Sequence, residues 1–200
     1  MRPPRQLAAV LATVPLAAAQ GPWSRAIGYR HLLGPPPGLG GPPQPLWGGA
    51  ARAVGARFTP QGGFDSIYLA DNPDTAFLEV SALVQLPGGP VPVRSAPWVI
   101  VSVEGVLNHL LDLTDPAILA ALGTSGQEVA GAWVMAPKPP TQLLGRLAYD
   151  SRRIVGIRYA SAKHPGGTNL AVFPDRLPLS ARNYLEVYDP HGHLAQHLAS

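Results

Sequence analysis

Between Gly55 and Val80 the chain sets an arginine, a tyrosine and a glutamate (Arg57, Tyr68 and Glu79) into one loop, one strand and one helix. A guanidinium grips phosphate oxygens through paired hydrogen bonds, which a lysine cannot do. An aromatic face receives a flat cationic ring. A carboxylate stabilises a sugar that turns cationic as its bond breaks. Together the three side chains are what a nucleotide needs if its glycosidic bond is to be cleaved. Arg30 is a second candidate for phosphate. Ser161 or Thr141 could bond an amide or a ribose hydroxyl, and Asn169 and His31 are further polar candidates.

These residues need elements to hold them. Ile67–Ala70 reads as a buried strand. Asn72-Pro73-Asp74 then starts a helix in three ways: Asn72 caps free N–H groups, Pro73 suits the first helical position, and Asp74 favours the positive end of the dipole. Ala76, Phe77, Val80, Leu83 and Val84 share one face of that helix, with Glu79 at its edge. Trp98–Val103 reads as a strand. Thr114-Asp115-Pro116 starts a helix that should stop at Gly123. Thr141 could cap a third helix through Leu143, Leu144 and Leu147. Gly156–Ala160 and Asn169–Phe173 read as strands joined by a loop from Ser161 to Thr168, and Tyr184–Tyr188 as a last strand. The mixture lacks regular βαβ alternation, so the fold class is α+β.

Composition limits the function classes. The 200 residues are 46% apolar and 14% charged, enough for a single domain with a real core. The net charge is +3, and no basic stripe interleaved with aromatics is present, which argues against direct nucleic-acid binding. There is no cysteine, so disulfides, thiolate metal sites and cysteine nucleophiles are excluded. This is compatible with a reducing cytosol. His191 and His193 form the one close histidine pair and read as a solvated tail, so no metal site is expected. Gly34–Pro45 is a proline- and glycine-rich run that reads as a surface loop. The apolar run Leu7–Ala19 follows two arginines, as in a secretory signal. It reads better as an N-terminal helix covering the domain and broken by Pro15, and it is too short to span a membrane. The four tryptophans (Trp23, Trp47, Trp98, Trp133) read as core or partner contacts. The organisation expected is an N-terminal helical segment over 1–26, a main domain over 27–175 and an extension of the same domain over 176–200.

In this order the segments resemble the RES domain, the toxin half of RES–Xre toxin–antitoxin pairs. Tyr29-Arg30 matches the family's first arginine. Gly55-Ala-Arg57-Phe58-Thr59 is similar to its glycine-rich segment, with Ala56, Phe58 and Thr59 in place of glycine, tryptophan and asparagine. Ile67-Tyr68 followed by Phe77-Leu-Glu79 matches its strand tyrosine and helix glutamate. Leu111-Asp-Leu-Thr114, Gln142-Leu-Leu-Gly145 and the strand, loop and strand from Gly156 to Phe173 follow. The resemblance covers about Ile27 to Phe173. It implies a fold like the ADP-ribosyltransferases and cleavage of NAD⁺ by hydrolysis, by phosphorolysis or by transfer of ADP-ribose to a protein. It implies catalytic roles for Arg30, Tyr68, Glu79 and a hydroxyl from Ser161 or Thr141. NAD⁺ contacts would come from Arg57, His31, Thr141, Gln142 and Asn169. NAD⁺ is then the substrate and no further cofactor is needed. The implied partner is an Xre-type antitoxin in the cytoplasm, in a hetero-oligomer or beside a homo-oligomer. The altered 55–59 segment leaves open a catalytically silent interaction module.

Overall fold

The computed structural model describes residues 1–32, 42–86, 89–93, 97–131, 133 and 136–199. The chain opens with helix α1 (Pro4–Thr13), strands β1 (Ala17–Gln20) and β2 (Trp23–Gly28), and short helices α2 (Tyr29–Leu32) and α3 (Gly49–Val54). Strand β3 (Ile67–Ala70) leads into α4 (Pro73–Val80), followed by the hairpin β4 (Ala82–Leu86) and β5 (Gly89–Val93). Next come β6 (Trp98–Asp112), α5 (Pro116–Leu122), α6 (Gly126–Ala130) and α7 (Pro140–Asp150). Strands β7 (Gly156–Ala160), β8 (Thr168–Val172), β9 (Tyr184–Val187) and β10 (His197–Ala199) finish the sheet, with a 3-10 helix at Pro174–Leu179. This is a mixed α+β domain, as the sequence predicts.

The main sheet runs β10-β9-β6-β2-β3-β8-β7, and β7 also pairs with β6. The path β6-β2-β3-β8-β7 therefore closes on itself, through one parallel pairing, Leu110–Asp112 with Gly156–Arg158. One strand can serve both ends of this ring because β6 is 15 residues long and bends. His109 adopts φ 65°, a left-handed conformation rare for a side chain with a Cβ, and the β1 pairing slips register around it.

Alternation along the strands splits the apolar residues into two cores. Ala171 and Phe173 join Leu7, Leu11, Phe58, Leu111, Leu122 and Leu144 on one side. Leu170 and Val172 join Trp23, Ile27, Ile67, Val103 and Leu185 on the other.

The structure corrects several sequence expectations. The N-terminal helix α1 stops at Thr13, ahead of Pro15 as expected, but the segment over 1–26 is not all helical: Ala17–Gln20 is a strand paired with β6. Helix α4 ends at Val80, so Leu83 and Val84 lie on β4 rather than on its apolar face. Thr141 does not cap α7. The helix begins at Pro140 behind Pro139, where the missing N–H costs nothing, and Thr141 falls inside its first turn. Helix α5 starts and stops as expected: Asp115 caps it by accepting from Ala117 N at 2.8 Å, and Gly123 at φ 64° ends it. The proline-rich loop expected over Gly34–Pro45 lies mostly outside the described residues.

Candidate functional site

Strands β2 and β3 meet at a single register pair, Ser24 with Ala70, while β2 pairs with β6 along all six residues. Beyond Ser24 the two strands diverge. The gap between them is a cleft of two lobes that share Ala26, Ala56 and Tyr68. The smaller, of about 200 Å³, holds Glu79, Arg57, Asn169, Tyr159 and Trp133. The larger, of about 600 Å³, holds Arg25, Arg30, His31, Ser66 and Trp98. Small-ligand sites typically enclose about 300–1,000 Å³, so the lobes together suit an elongated ligand.

Glu79 is half-buried in the last turn of α4. That helix starts as the sequence predicts, with Asn72 Oδ1 accepting from Thr75 N at 2.8 Å. The Glu79 carboxylate is held from two strand ends. Its Oε1 accepts from Ser161 Oγ at 2.7 Å and from Asn169 Nδ2 at 2.8 Å. Asn169 sits on β8 opposite both Ala70 and Tyr159, which aims it at the lobe. The loop after β7 is fastened along α4. Ser161 Oγ accepts from Lys163 N and His164 N, Lys163 Nζ donates to Glu79 O, and His164 Nδ1 lies 2.6 Å from Thr75 Oγ1.

Tyr68 stands where the lobes join. Its hydroxyl accepts from Phe58 N at 3.1 Å and lies 3.3 Å from Thr59 Oγ1, which in turn contacts Ser66 Oγ. The hydroxyl is thus committed to the 58–59 segment, and burial pushes its pKa above the usual value. Tyr68 still lines both lobes. Burial raises Tyr159 further still, so neither phenol supplies a proton acceptor near neutral pH.

Arg57 has NH1 bound to the carbonyls of Val129 and Gly131, at 2.6 and 2.9 Å. This draws in the segment that carries Trp133. Beneath Arg57, Gln142 Nε2 donates to Ala56 O at 2.9 Å, and Gly145 lets α7 lie directly on Phe58. The Gln142-to-Gly145 motif therefore braces the arginine loop. Gln142 and Thr141 line neither lobe. Thr141 is buried and its hydroxyl has no partner among the described residues, whereas Ser161 is the hydroxyl that reaches Glu79. Arg30 and His31 are in the larger lobe on α2, bonded to each other at 3.1 Å and separate from the Glu79 cluster.

Two residues of the cleft escape sequence reasoning. Trp133 lines the smaller lobe; nothing in its local sequence signals this, because the segment is placed by Arg57 from 72 residues away. Arg25 is 7% exposed in the middle of β2. Its NH2 donates to Trp47 O at 2.6 Å, its NH1 has no partner among the described residues, and burial pulls its pKa down to about 10. The available signal is an arginine inside a run that otherwise reads as a buried strand, because a charge is rarely buried without a partner. Arg25→Met is expected to weaken binding of inorganic pyrophosphate by about tenfold or more by calorimetry, while shifting stability by less than about 2 kcal/mol, since loss of a buried charge offsets the orphaned Trp47 carbonyl. A large loss of stability with unchanged binding would make Arg25 structural.

The RES domain model matches residues 33–195, most of the chain. The chain belongs to the RES domain family. Arg30 and His31 fall just outside the span that this RES protein shares with the model, whereas Arg57, Tyr68, Glu79, Ser161 and Asn169 fall within it. No curated protein matches the sequence. Among solved structures, it is similar to the MbcT toxin in the crystal structure of the M. tuberculosis MbcT–MbcA toxin–antitoxin complex, with a TM-score of 0.68 and 19% identity over 97% of this chain and 92% of that one. At that identity the likeness speaks for the fold.

Proposed function

We propose that this RES protein is the toxin of a toxin–antitoxin pair and that it degrades NAD⁺ by breaking the bond between nicotinamide and ribose. The observation that carries the reading is the Glu79 carboxylate, positioned by Ser161 and Asn169 in a cleft with an aromatic wall and arginines. Membership of the RES family and a fold shared with a toxin support it.

Nicotinamide leaves NAD⁺ as a neutral molecule, so no group need protonate it. The ribose left behind is oxocarbenium-like, and its positive charge is what the site must stabilise. Glu79 supplies the opposing charge, directly or by holding a ribose hydroxyl. Tyr68 and Trp133 line the smaller lobe, and aromatic rings suit the flat, cationic nicotinamide. Arg57 in the smaller lobe and Arg25 in the larger suit the pyrophosphate. Arg30 and His31 then serve the far end of the larger lobe. Water or phosphate captures the cation.

No metal or further cofactor is required for this chemistry. The partner expected is an Xre-type antitoxin, and the compartment is the cytoplasm. Among the described residues no helix is long and apolar enough to cross a membrane.

The test is NAD⁺ concentration over time with purified protein free of antitoxin, with and without inorganic phosphate. Free nicotinamide should appear in step with NAD⁺ loss. Phosphate dependence names phosphate as acceptor, and independence names water. Loss of NAD⁺ only when a target protein is present, with label retained on it, would replace degradation with ADP-ribose transfer. No loss under any condition would leave a binding module.

A further inference from the structure

Glu79 occupies an awkward place for an acid. It lies in the last turn of α4, where the backbone dipoles leave partial negative charge. Its two side-chain partners, Ser161 and Asn169, are neutral and both engage Oε1. They fix the carboxylate without supplying charge.

Lys163 supplies it. Its Nζ donates to Glu79 O at 2.8 Å and to Ser81 O at 2.7 Å, carbonyls at and just beyond the end of the helix. The ammonium is partly buried, and burial lowers its pKa while the Glu79 charge raises it. We propose that Lys163 is a positioning residue for Glu79: it closes the C-terminal end of α4 with a positive charge, fixing the helix end that carries the carboxylate and setting that charge beside it. The proposal rests on the reading of Glu79 as the carboxylate that stabilises the cationic ribose.

Other charges around the helix do not replace it. Arg57 faces the lobe from its loop, but its NH1 is spent on Val129 and Gly131. Tyr68 on β3 and Tyr159 on β7 line the lobe, with pKa values pushed up by burial. His164 is held against Thr75, in the first half of α4. Asp74 in the first turn and Asp71 before the helix are at its opposite end. Strands β2 and β6 pack against α4, and from them the smaller lobe receives only Ser24 and Ala26, which do not titrate.

The experiment reads Glu79 directly. The chain has four glutamates, so protein labelled with ¹³C at the glutamate carboxyl gives a sparse spectrum. The Glu79 signal is the one lost in Glu79→Gln. In Lys163→Met its titration midpoint should rise by about one unit, an opposite charge nearby being worth about 1–3 units. Lys163→Gln, which keeps a donor for the carbonyls but no charge, should raise it similarly, and Lys163→Arg should restore it. The acid limb of kcat/KM for NAD⁺ loss should move by the same amount, with KM at neutral pH unchanged. A midpoint that stays put in both neutral variants overturns the proposal, as does one that moves in Lys163→Met alone. If the midpoint moves but the wild-type protein consumes no NAD⁺, the role of Lys163 stands and the substrate reading falls.

Discussion

Glu79→Gln should slow NAD⁺ loss by about 10²–10³-fold or more, the usual cost of removing one transition-state stabiliser. The replacement is nearly isosteric. Its amide oxygen can still accept from Ser161 and Asn169, as Oε1 does at 2.7 and 2.8 Å. Folding stability should therefore change by no more than about 1 kcal/mol. Glu79→Ala should be equally inactive and less stable, because two donors lose their acceptor, at about 1–3 kcal/mol. The pair separates charge from structure. NAD⁺ consumption and thermal melting of both variants decide it, and a fully active glutamine variant would remove Glu79 from the chemistry.

Gly145→Ala should destabilise the fold although it sits in a helix interior. Alanine there normally stabilises by about 1 kcal/mol over glycine. At Gly145 a Cβ would stand 1.9 Å from Phe58 O, inside van der Waals contact with main chain that cannot rotate away. Helix α7 must then lift from the 55–59 segment. The expected cost is about 1–3 kcal/mol, as for overpacked sites. The same lift loosens Gln142 from Ala56 O and displaces Arg57, so activity should fall in the fraction that remains folded. Urea denaturation gives the first quantity and NAD⁺ turnover under native conditions the second. A variant as stable and active as wild type would show that the loop is not braced from below.

Local signals were legible in the sequence, and long-range ones were not. Asn72, Pro73 and Asp74 announce α4 because capping is a matter of adjacent residues. Its end was misjudged because the apolar spacing of Leu83 and Val84 fits a helix as well as the strand they form. Residue chemistry and the family resemblance both point to Tyr68, Glu79 and Asn169, but they do not choose between Ser161 and Thr141. Only the pairing of β3, β8 and β7 shows which hydroxyl reaches the carboxylate. Arg25 and Trp133 were missed for the same reason: each is aimed by partners far away in the chain. Gln142 was read as a ligand contact, and its place under the arginine loop depends on how closely α7 approaches Phe58.

The single pairing between β2 and β3 leaves a sheet edge inside the protein. Beyond Ser24 the β3-facing side of β2 has no strand partner among the described residues, and Arg25 to Gly28 line the cleft there. Every residue type except proline carries both a backbone N–H and a carbonyl, so few side-chain replacements can delete them. A relative may exchange the side chains around the cleft, as Ala56, Phe58 and Thr59 do here, and still present a ligand with the same polar backbone. Such a site is altered by whatever moves the two strands, and inheritance can drift widely in composition while the opening itself persists.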